Sequence, residues 1–378
     1  MSGRPVIALL GGGQLGRMFI ENALRYDVEI HVLDPDPNAP CSTIADRFVQ
    51  GSLDDARTVV DFAAHADVVG IEIEHVSVEA LITLKEQGKR VIPDPEVLRI
   101  IQDKGLQKEF YAHHGIPTSP FVLLNGKADL AAHDDLLPGF LKARTGGYDG
   151  KGVMPIADAA HVDEAFNGPC VLEKHVRIAK ELAVIVVRAH TGGMASYAPV
   201  EMVFDDRLNL VDHLRAPARV DNGTLERATE LAMRVADAFG APGIYAVEMF
   251  LTDQGEVLVN ETAPRAHNSG HHTIEACASS QFDQLLRCYL TWPIGSPDAA
   301  RPSGMFNLVG TGGEGIPEVI GMDAILGIPG VHLHLYGKQR TRTGRKMGHV
   351  SVVAPDEASV DAALALIKAQ CRIRPRLA

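Results

Sequence analysis

"GIYAVEMFLTDQGEVLVNETAPR", residues 243–265, reads as two apolar strands joined by a turn at Asp253–Glu256, where Gly255 supplies the backbone freedom of a hairpin. A hairpin symmetric about the midpoint between Gln254 and Gly255 sets Glu248 directly across from Glu261 on one face, flanked by Phe250, Val257 and Val259. Cross-strand partners lie ~4.5–5.5 Å apart, and two carboxylates at about 5 Å repel by about 3 kcal/mol at an effective dielectric near 20. A divalent cation removes that cost, and hard oxygen ligands suit magnesium carrying the phosphates of a nucleotide. A shifted register, or one glutamate turned to solvent, is the plainer alternative.

Further chemistry lies on either side. In "LKARTGGYDGKG" (141–152), Lys142 ends a strand-like run and precedes Gly146, Gly147, Gly150 and Gly152, a loop whose N–H groups can approach phosphate oxygens. It lacks the G-K-[ST] ending of a Walker A loop, and an ordinary flexible loop is the competing reading. "EKHVRIAKEL" (173–182) holds Glu173 and Glu181, a pair suited to an adenine amine and a ribose hydroxyl, or simply two surface carboxylates. In "APRAHNSGHHTIEACASSQF" (263–282), Arg265, His267, Asn268 and Ser269 lead into an expected amphipathic helix, so their donors would gather at an anion-favouring N-terminus. His267 and His271 also have H-x-x-x-H spacing, but the intervening glycine breaks the common helical face that a zinc pair needs. "YGKQRTRTGRKMGHV" (336–350) concentrates Lys338, Arg340, Arg342, Arg345 and Lys346, either a solvated basic loop or a site for a phosphate ester.

The N-terminal stretch "VIALLGGGQLGRM" (6–18) reads as strand, glycine turn and helix onset, and opens the βαβ rhythm of a parallel, doubly wound sheet. Gly11, Gly13 and Gly16 fit G-x-G-x-x-G, and Asp34 stands where a dinucleotide-binding protein places its ribose-binding acid. A nicotinamide dehydrogenase is therefore a rival reading, although it leaves the central carboxylates and lysines unexplained. Breaks at "IPDPEVLRI" (92–100) and "IGSPDAARPSG" (294–304) divide the 378 residues into an α/β part, an α+β part and a short β-rich end. A formal net charge of -12 argues against a general nucleic-acid binder or anionic-membrane binder. Five scattered cysteines fit reduced thiols in the cytoplasm, and no apolar run approaches the ~20 residues of a membrane span.

Taken jointly, "GGGQLGRM", "QDKGLQK", "GGYDGKG", "VNETAPRAHNSGHHT", "SSQF" and "GRKMGH" are highly specific, and over nearly its whole length the chain resembles ATP-grasp enzymes, most closely the 5-(carboxyamino)imidazole ribonucleotide synthase family. The resemblance implies a Rossmann-like domain over 1–100, an ATP-grasp domain over 101–295 with a mobile subdomain at about 117–180, and a small β-rich C-terminal domain over 296–378. It further implies ATP and Mg2+ as cofactors, aminoimidazole ribonucleotide and bicarbonate as substrates, and a homodimer. Lys104 and Lys142 would contact the phosphates, and Gly147, Tyr148, Asp149, Gly150, Lys151, Gly152 and Val153 would close over them. Glu173, Lys174, His175 and Val176 would line the adenine, Glu181 the ribose, and Glu248 and Glu261 the magnesium, with Asn260 and Arg265 beside the transferred phosphoryl group. For the ribonucleotide it points to Gln14, Leu15, Glu74, Tyr148, Asp149, His267, Asn268, Ser269, Lys338, Arg345 and Lys346, with Asp149 and His267 as candidate proton acceptors. Four positions depart from the pattern: Met202 and Phe204 replace a polar Asn and His, Gly70 replaces Thr, and Ala143 replaces a polar or basic residue.

Overall fold

Alternating apolar and amphipathic runs in the first hundred residues become a five-stranded parallel sheet. In chain order, β1 (Val6–Leu10), α1 (Gln14–Ala23), β2 (Glu29–Asp34), β3 (Arg47–Gln50), α2 (Ala56–Ala63), β4 (Val68–Ile71), α3 (Val78–Glu86) and β5 (Arg90–Ile92) give the strand order β3-β2-β1-β4-β5. This is a computed structural model that describes residues 3–147, 152–158, 168–205, 207–208 and 210–376. Ile7, Leu9 and Val32 fill one face of the sheet and Ala8, Leu10 and Leu33 the other, the two-sided burial that makes parallel strands read as unbroken apolar runs. Gly70 on β4 is explained by a neighbour: a Cβ there would fall 2.1 Å from the Tyr289 hydroxyl oxygen, so a threonine has no room.

The expected break at 92–100 is occupied by a helix, α4 (Pro95–Gln102), shared between two cores. Its Leu98 packs under the first sheet while Val97 and Ile101 join the next cluster. After α5 (Lys104–His113), strands β6 (Phe121–Leu124), β7 (Gly139–Ala143), β8 (Val153–Ile156) and β9 (Cys170–Lys174) form a small antiparallel sheet in the order β6-β9-β7-β8. Next come β10 (Ile178–Arg188), β11 (Met194–Ser196), β12 (Val200–Asp205), β13 (Leu210–Ala216), α6 (Asn222–Phe239), β14 (Gly243–Thr252) and β15 (Val257–Ala263). Helix α6 covers one face of this second sheet through Leu182, Val184, Val186, Tyr245 and Val247. By strand alternation the opposite face presents Glu181 from β10 and Glu248 and Phe250 from β14.

The hairpin pairs Glu248 with Glu261, but by a route that the symmetric reading does not contain. Nearer the turn, Met249 faces Val259, Phe250 faces Leu258 and Leu251 faces Val257, so the loop is one residue tighter and Asn260 is the extra residue of a bulge. A bulge re-aims side chains, and here neighbours Asn260 and Glu261 both reach lysines of the cleft. Gly255 does adopt the left-handed conformation expected, with φ 81°.

Where an amphipathic helix was expected after Arg265, the chain makes a 3₁₀ turn (Asn268–Gly270), a single helical turn α7 (Thr273–Ala276) and only then α8 (Gln281–Leu290). The donors before residue 270 thus sit on an irregular loop, not at the end of a long helix. The C-terminal part adds β16 (Ser303–Val309), β17 (Pro317–Ile320), α9 (Met322–Leu326), β18 (Val331–Leu335), β19 (Lys346–Val353), α10 (Glu357–Gln370) and β20 (Arg372–Pro375). Three of its strands continue the central sheet in the order β15-β14-β10-β12-β13-β16-β19-β18, with β11 beside β10, and β17 pairs with β20. Helix α10, which the β-rich reading of this end omits, covers one face through Val360, Leu364 and Ile367. All five cysteines are free thiols, and among the described residues no helix is long and apolar enough to cross a membrane.

Candidate active site

Two lysines one helical turn apart organise the cleft between the small and the large sheet. Lys104 and Lys108 share a face of α5 at i,i+4 spacing. The Lys104 ammonium donates to Glu261 Oε2 at 2.9 Å, while Lys108 reaches Glu173 Oε2 at 3.0 Å and donates to Thr118 Oγ1 at 2.6 Å. From β7, Lys142 meets Glu173 Oε1 at 2.9 Å and donates to Asn260 Oδ1 at 3.2 Å. Glu173 is therefore clamped between two ammoniums and is only 4% exposed. Its carboxylate is directed at Lys108 and Lys142, where the sequence reading directed it at an adenine amine, because the alternation of β9 turns residue 173 inward and residue 174 out to solvent. Burial pushes the Glu173 carboxyl up, but the two lysines prevail and hold it below the usual carboxylate range. Burial and the like charge of Lys142 lower Lys108 to about 8, against the pull of Glu173.

The paired carboxylates are split in character. Lys104 holds Glu261 well below the ordinary range, whereas burial and the charges of Glu261 and Glu181 raise Glu248. Almost half of the Glu261 side chain, 47%, stays open to the cleft, so an incoming ligand can reach it. Glu181 is raised to about 7, by burial and by Glu261. The carboxylate oxygens of Glu181, Glu248 and Glu261 on this face suit a hard divalent cation. Beside it, Met202 and Phe204 join an apolar cluster with Ala183 and Met305, so that where the family pattern has polar groups this chain offers a hydrophobic surface.

Of the loop expected to close over phosphates, Gly147, Gly152 and Val153 are described, while Tyr148, Asp149, Gly150 and Lys151 lie outside the described residues. Gly152 has φ 76° and its carbonyl accepts from Ala143 N. Beyond Glu173, Lys174 donates to the Asp135 carbonyl, His175 N donates to Pro138 O, and Val176 is half-buried on the way into β10. Arg144 and Asp103 tie the small sheet to α5: the guanidinium meets the carboxylate at 2.8 and 2.7 Å, and that same carboxylate caps the helix through Gly105 N and Leu106 N.

The glycine turn holds the chain's own carboxylates. Leu15 N donates to Glu72 Oε1 at 3.0 Å and Gly12 N to Asp34 Oδ2 at 2.7 Å. A Cβ on Gly13 would lie 2.5 Å from Glu72 Oε1, and one on Gly11, which has φ 100°, would lie 2.9 Å from Oε2. Those glycines thus make room for Glu72, and the acid that suggested a dinucleotide ribose is used within the turn. The Leu15 side chain is in the core, and Gln14 is half-buried at the start of α1. Burial raises Glu72, with Arg265 and the Leu15 N–H pulling the other way. Arg265 in turn binds Glu74 Oε1 at 2.7 Å and donates to Ala266 O, leaving its buried Nε without a hydrogen-bond partner among the described residues.

His267 joins the two regions, with Nε2 3.3 Å from Glu248 Oε1 and Nδ1 2.9 Å from Ser269 Oγ. Burial, reinforced by Arg265 and Lys346, lowers it to about 3, so it is a neutral imidazole near pH 7. Lys346, at the start of β19, acts electrostatically on both Glu248 and His267. Its basic neighbours are engaged locally: Lys338 donates to the Lys346 carbonyl, and Arg345 to the Arg340 carbonyl. The Asn268 amide is exchanged with Asn307 of β16 at 2.9 and 3.0 Å.

Four residues of this arrangement are missed by the sequence reading: Lys108, Glu72, Gln281 and Asn307. Lys108 had a signal, one turn beyond Lys104 in "QDKGLQK". Gln281, fully buried, accepts from His267 N and donates to His267 O, both at 2.8 Å. Nothing local marks Glu72 or Asn307, since their partners are 57 and 39 residues away.

A cleft between a small antiparallel sheet and a larger one, with lysines from α5 and the small sheet and paired carboxylates on the larger, places the protein among the ATP-grasp ligases. Family models agree: an ATP-grasp domain matches residues 109–282, a ribonucleotide synthetase preATP-grasp domain matches 5–102, and a phosphoribosylaminoimidazole carboxylase C-terminal domain matches 303–363. The chain is 35% identical to the N5-carboxyaminoimidazole ribonucleotide synthase of Bacillus subtilis over 93% of its length and 92% of the relative's. It superposes on N5-carboxyaminoimidazole ribonucleotide synthetase from Thermotoga maritima with a TM-score of 0.91 at 39% identity, covering 98% of this chain and 100% of that one. The Aspergillus clavatus N5-carboxyaminoimidazole synthase, in complex with ADP and 5-aminoimidazole ribonucleotide, gives a TM-score of 0.87 at 35% identity, again covering 98% and 100%. The chain belongs to the N5-carboxyaminoimidazole ribonucleotide synthase family.

Proposed function

We propose that this enzyme uses ATP and bicarbonate to carboxylate the amine of 5-aminoimidazole ribonucleotide, giving 5-(carboxyamino)imidazole ribonucleotide, ADP and phosphate in purine biosynthesis. The observation that carries the reading is the adjacency of two differently equipped regions: Lys104 and Lys142 facing Glu248 and Glu261 on one side, and Lys346 with His267 on the other. A bicarbonate oxygen attacks the γ-phosphorus as the bond to ADP breaks; the ribonucleotide amine then bonds to the carboxyl carbon, of carboxyphosphate as phosphate leaves or of the CO2 it releases, and its proton passes to a base, for which Asp149 and His267 are the candidates. Glu248 and Glu261 would hold Mg2+, which when bound neutralises phosphate charge. Lys104, Lys142 and Arg265 supply fixed positive charge where the phosphoryl group passes, at no reorganisation cost. Glu181 would take the ribose, and the strand end Lys174–Val176 would edge the adenine through its backbone. Phe204 would pack on the base where relatives place a His.

Ordering of 147–153 over the phosphates would exclude water from carboxyphosphate. His267 enters as a neutral imidazole, able to hydrogen-bond the ribonucleotide but only weakly basic. Lys338, Arg345 and Lys346 would receive its phosphate, and Gln14, Glu74 and Ser269 its ring and ribose. By resemblance the reading extends to a homodimer working in the cytoplasm. The test is ADP release from ATP, Mg2+ and bicarbonate with and without the ribonucleotide. Release that depends strongly on the ribonucleotide is expected, and release indifferent to it overturns the substrate assignment.

A further inference from the structure

One face of the C-terminal strands is covered by α10, and the other carries a polar row that no step above uses. Asn307 on β16 and His334 on β18 both pair in register with His349 on β19. Each of the three meets one residue of the loop that follows the hairpin. Asn307 exchanges two amide hydrogen bonds with Asn268. His349 lies 4.8 Å from His271, ring centre to ring centre, and stacks on His334 at 4.4 Å. The third member, His334, contacts Glu275 Oε1 through Nε2 at 2.6 Å.

The match has a geometric basis. Residues 268, 271 and 275 are spaced by three and then four on a right-handed helical path, with His271 and His272 both in the αR region between the 3₁₀ turn and α7. Such residues recur about every 5.4 Å along one side of a helix, and neighbouring strands lie about 4.8 Å apart. A short helical segment laid across three strands therefore meets one side chain per strand. His349 and Asn307 are fully or almost fully buried, and the Tyr336 hydroxyl and His349 Nδ1 are 3.0 Å apart, which pins the ring. On either side of this joint stand the groups given to the ribonucleotide: His267 and Ser269 on the loop, and Lys346 at the start of the strand that carries His349.

We propose that Asn268 is a positioning residue: its amide is spent on Asn307, and the pairs 268–307, 271–349 and 275–334 form a polar joint that sets Lys346 at a fixed distance from His267 and Ser269. The resemblance gives Asn268 a direct contact with the ribonucleotide; here it works through the C-terminal sheet. This rests on the ribonucleotide reading of that site.

Asn268→Ala, Asn307→Ala and the double variant separate the two roles. Each single change is expected to raise KM for the ribonucleotide several-fold with KM for ATP unchanged, and the double variant is expected to be no worse than either single. Multiplying effects, or a raised KM in Asn268→Ala with none in Asn307→Ala, would show that Asn268 touches substrate and overturn the proposal. Should Asn307→Ala fail to fold, Glu275→Gln probes the other end of the row, with the same KM pattern expected and an unchanged ribonucleotide KM refuting the joint. If the wild-type enzyme shows no ribonucleotide-dependent ADP release, the functional reading falls instead. The joint is then still read by melting temperature: Asn307→Ala also loses its donation to the Val211 carbonyl, so the double variant should drop no further than Asn307→Ala, and additive drops refute the pairing.

Discussion

Replacing Glu173 by Gln should be among the most damaging single changes in the cleft, although it alters one oxygen of one side chain. The carboxylate stands between Lys142 at 2.9 Å and Lys108 at 3.0 Å, and Lys108 has only 4% of its side chain exposed. Without it the two ammoniums, roughly 6 Å apart, repel by about 3 kcal/mol at an effective dielectric near 20. Removing the partner of a buried charge costs about 3–5 kcal/mol in measured cases, in line with that figure. At ~2–4 °C per kcal/mol the melting temperature should fall on the order of 10 °C, read by calorimetry at pH 7.5. Lys108, already lowered to about 8, would fall further in the variant. A lysine whose folded pKa is depressed binds fewer protons folded than unfolded, so the deficit should shrink as pH rises toward about 8 and level off above it, where Lys108 is neutral in both folded proteins. KM for ATP should rise as well, because Lys142 loses the partner that aims it. Adding Lys108→Met to Glu173→Gln should recover most of the stability, since Lys142 alone has 15% of its side chain exposed and can be hydrated. A variant that melts like wild type while KM for ATP rises, or a double variant no more stable than the single, would refute the clamp and return Glu173 to the adenine.

Glu261→Gln should lower kcat by about 10²–10³-fold, while Lys346→Ala should chiefly raise KM for the ribonucleotide; steady-state kinetics showing the reverse would contradict the two-region map. Gly13→Ala should destabilise by about 1–3 kcal/mol, because the new Cβ, 2.5 Å from Glu72 Oε1, displaces the acceptor of Leu15 N. A melting curve unchanged by that substitution would remove Glu72 from its place at α1. NADH fluorescence titration should show no binding, and micromolar affinity would revive the dehydrogenase reading. Burial lowers His267 to about 3 and His272 to about 4, and holds His271 and His349 well below the usual value. Their unfolded counterparts take up protons near pH 6.5, so the imidazole contribution to stability should be level above pH 7 and decline below 6.5 by up to about 1.4 kcal/mol per pH unit for each ring, partly offset by Glu181 and Glu248, whose raised carboxyls act in the opposite direction. Urea midpoints equal at pH 7.5 and 5.5 would show that these rings are not kept neutral.

Local spacing made several of the elements and the charged groups of the hairpin legible. The βαβ rhythm, the hairpin with Gly255 at its turn, and the carboxylates at 248 and 261 are all legible, because each depends on periodicity or turn chemistry within a few residues. Even there, the pairing of Glu248 with Glu261 arises from a tighter turn compensated by a bulge at Asn260, which alternation alone does not reveal. What tertiary structure decided is which group each charge faces. A G-x-G-x-x-G turn is equally suited to a pyrophosphate or to a buried carboxylate, and only the return of the chain at Glu72 selects the second. Glu173 reads as a strand-end acid until Lys108 and Lys142 close on it from two elements, and Asn268 reads as a ligand donor until β16 brings Asn307 against it. The physical reason is range: helix and strand patterns are set by neighbours in sequence, whereas the partner of Lys104 lies 157 residues away, brought there by the packing of sheets and helices on one another.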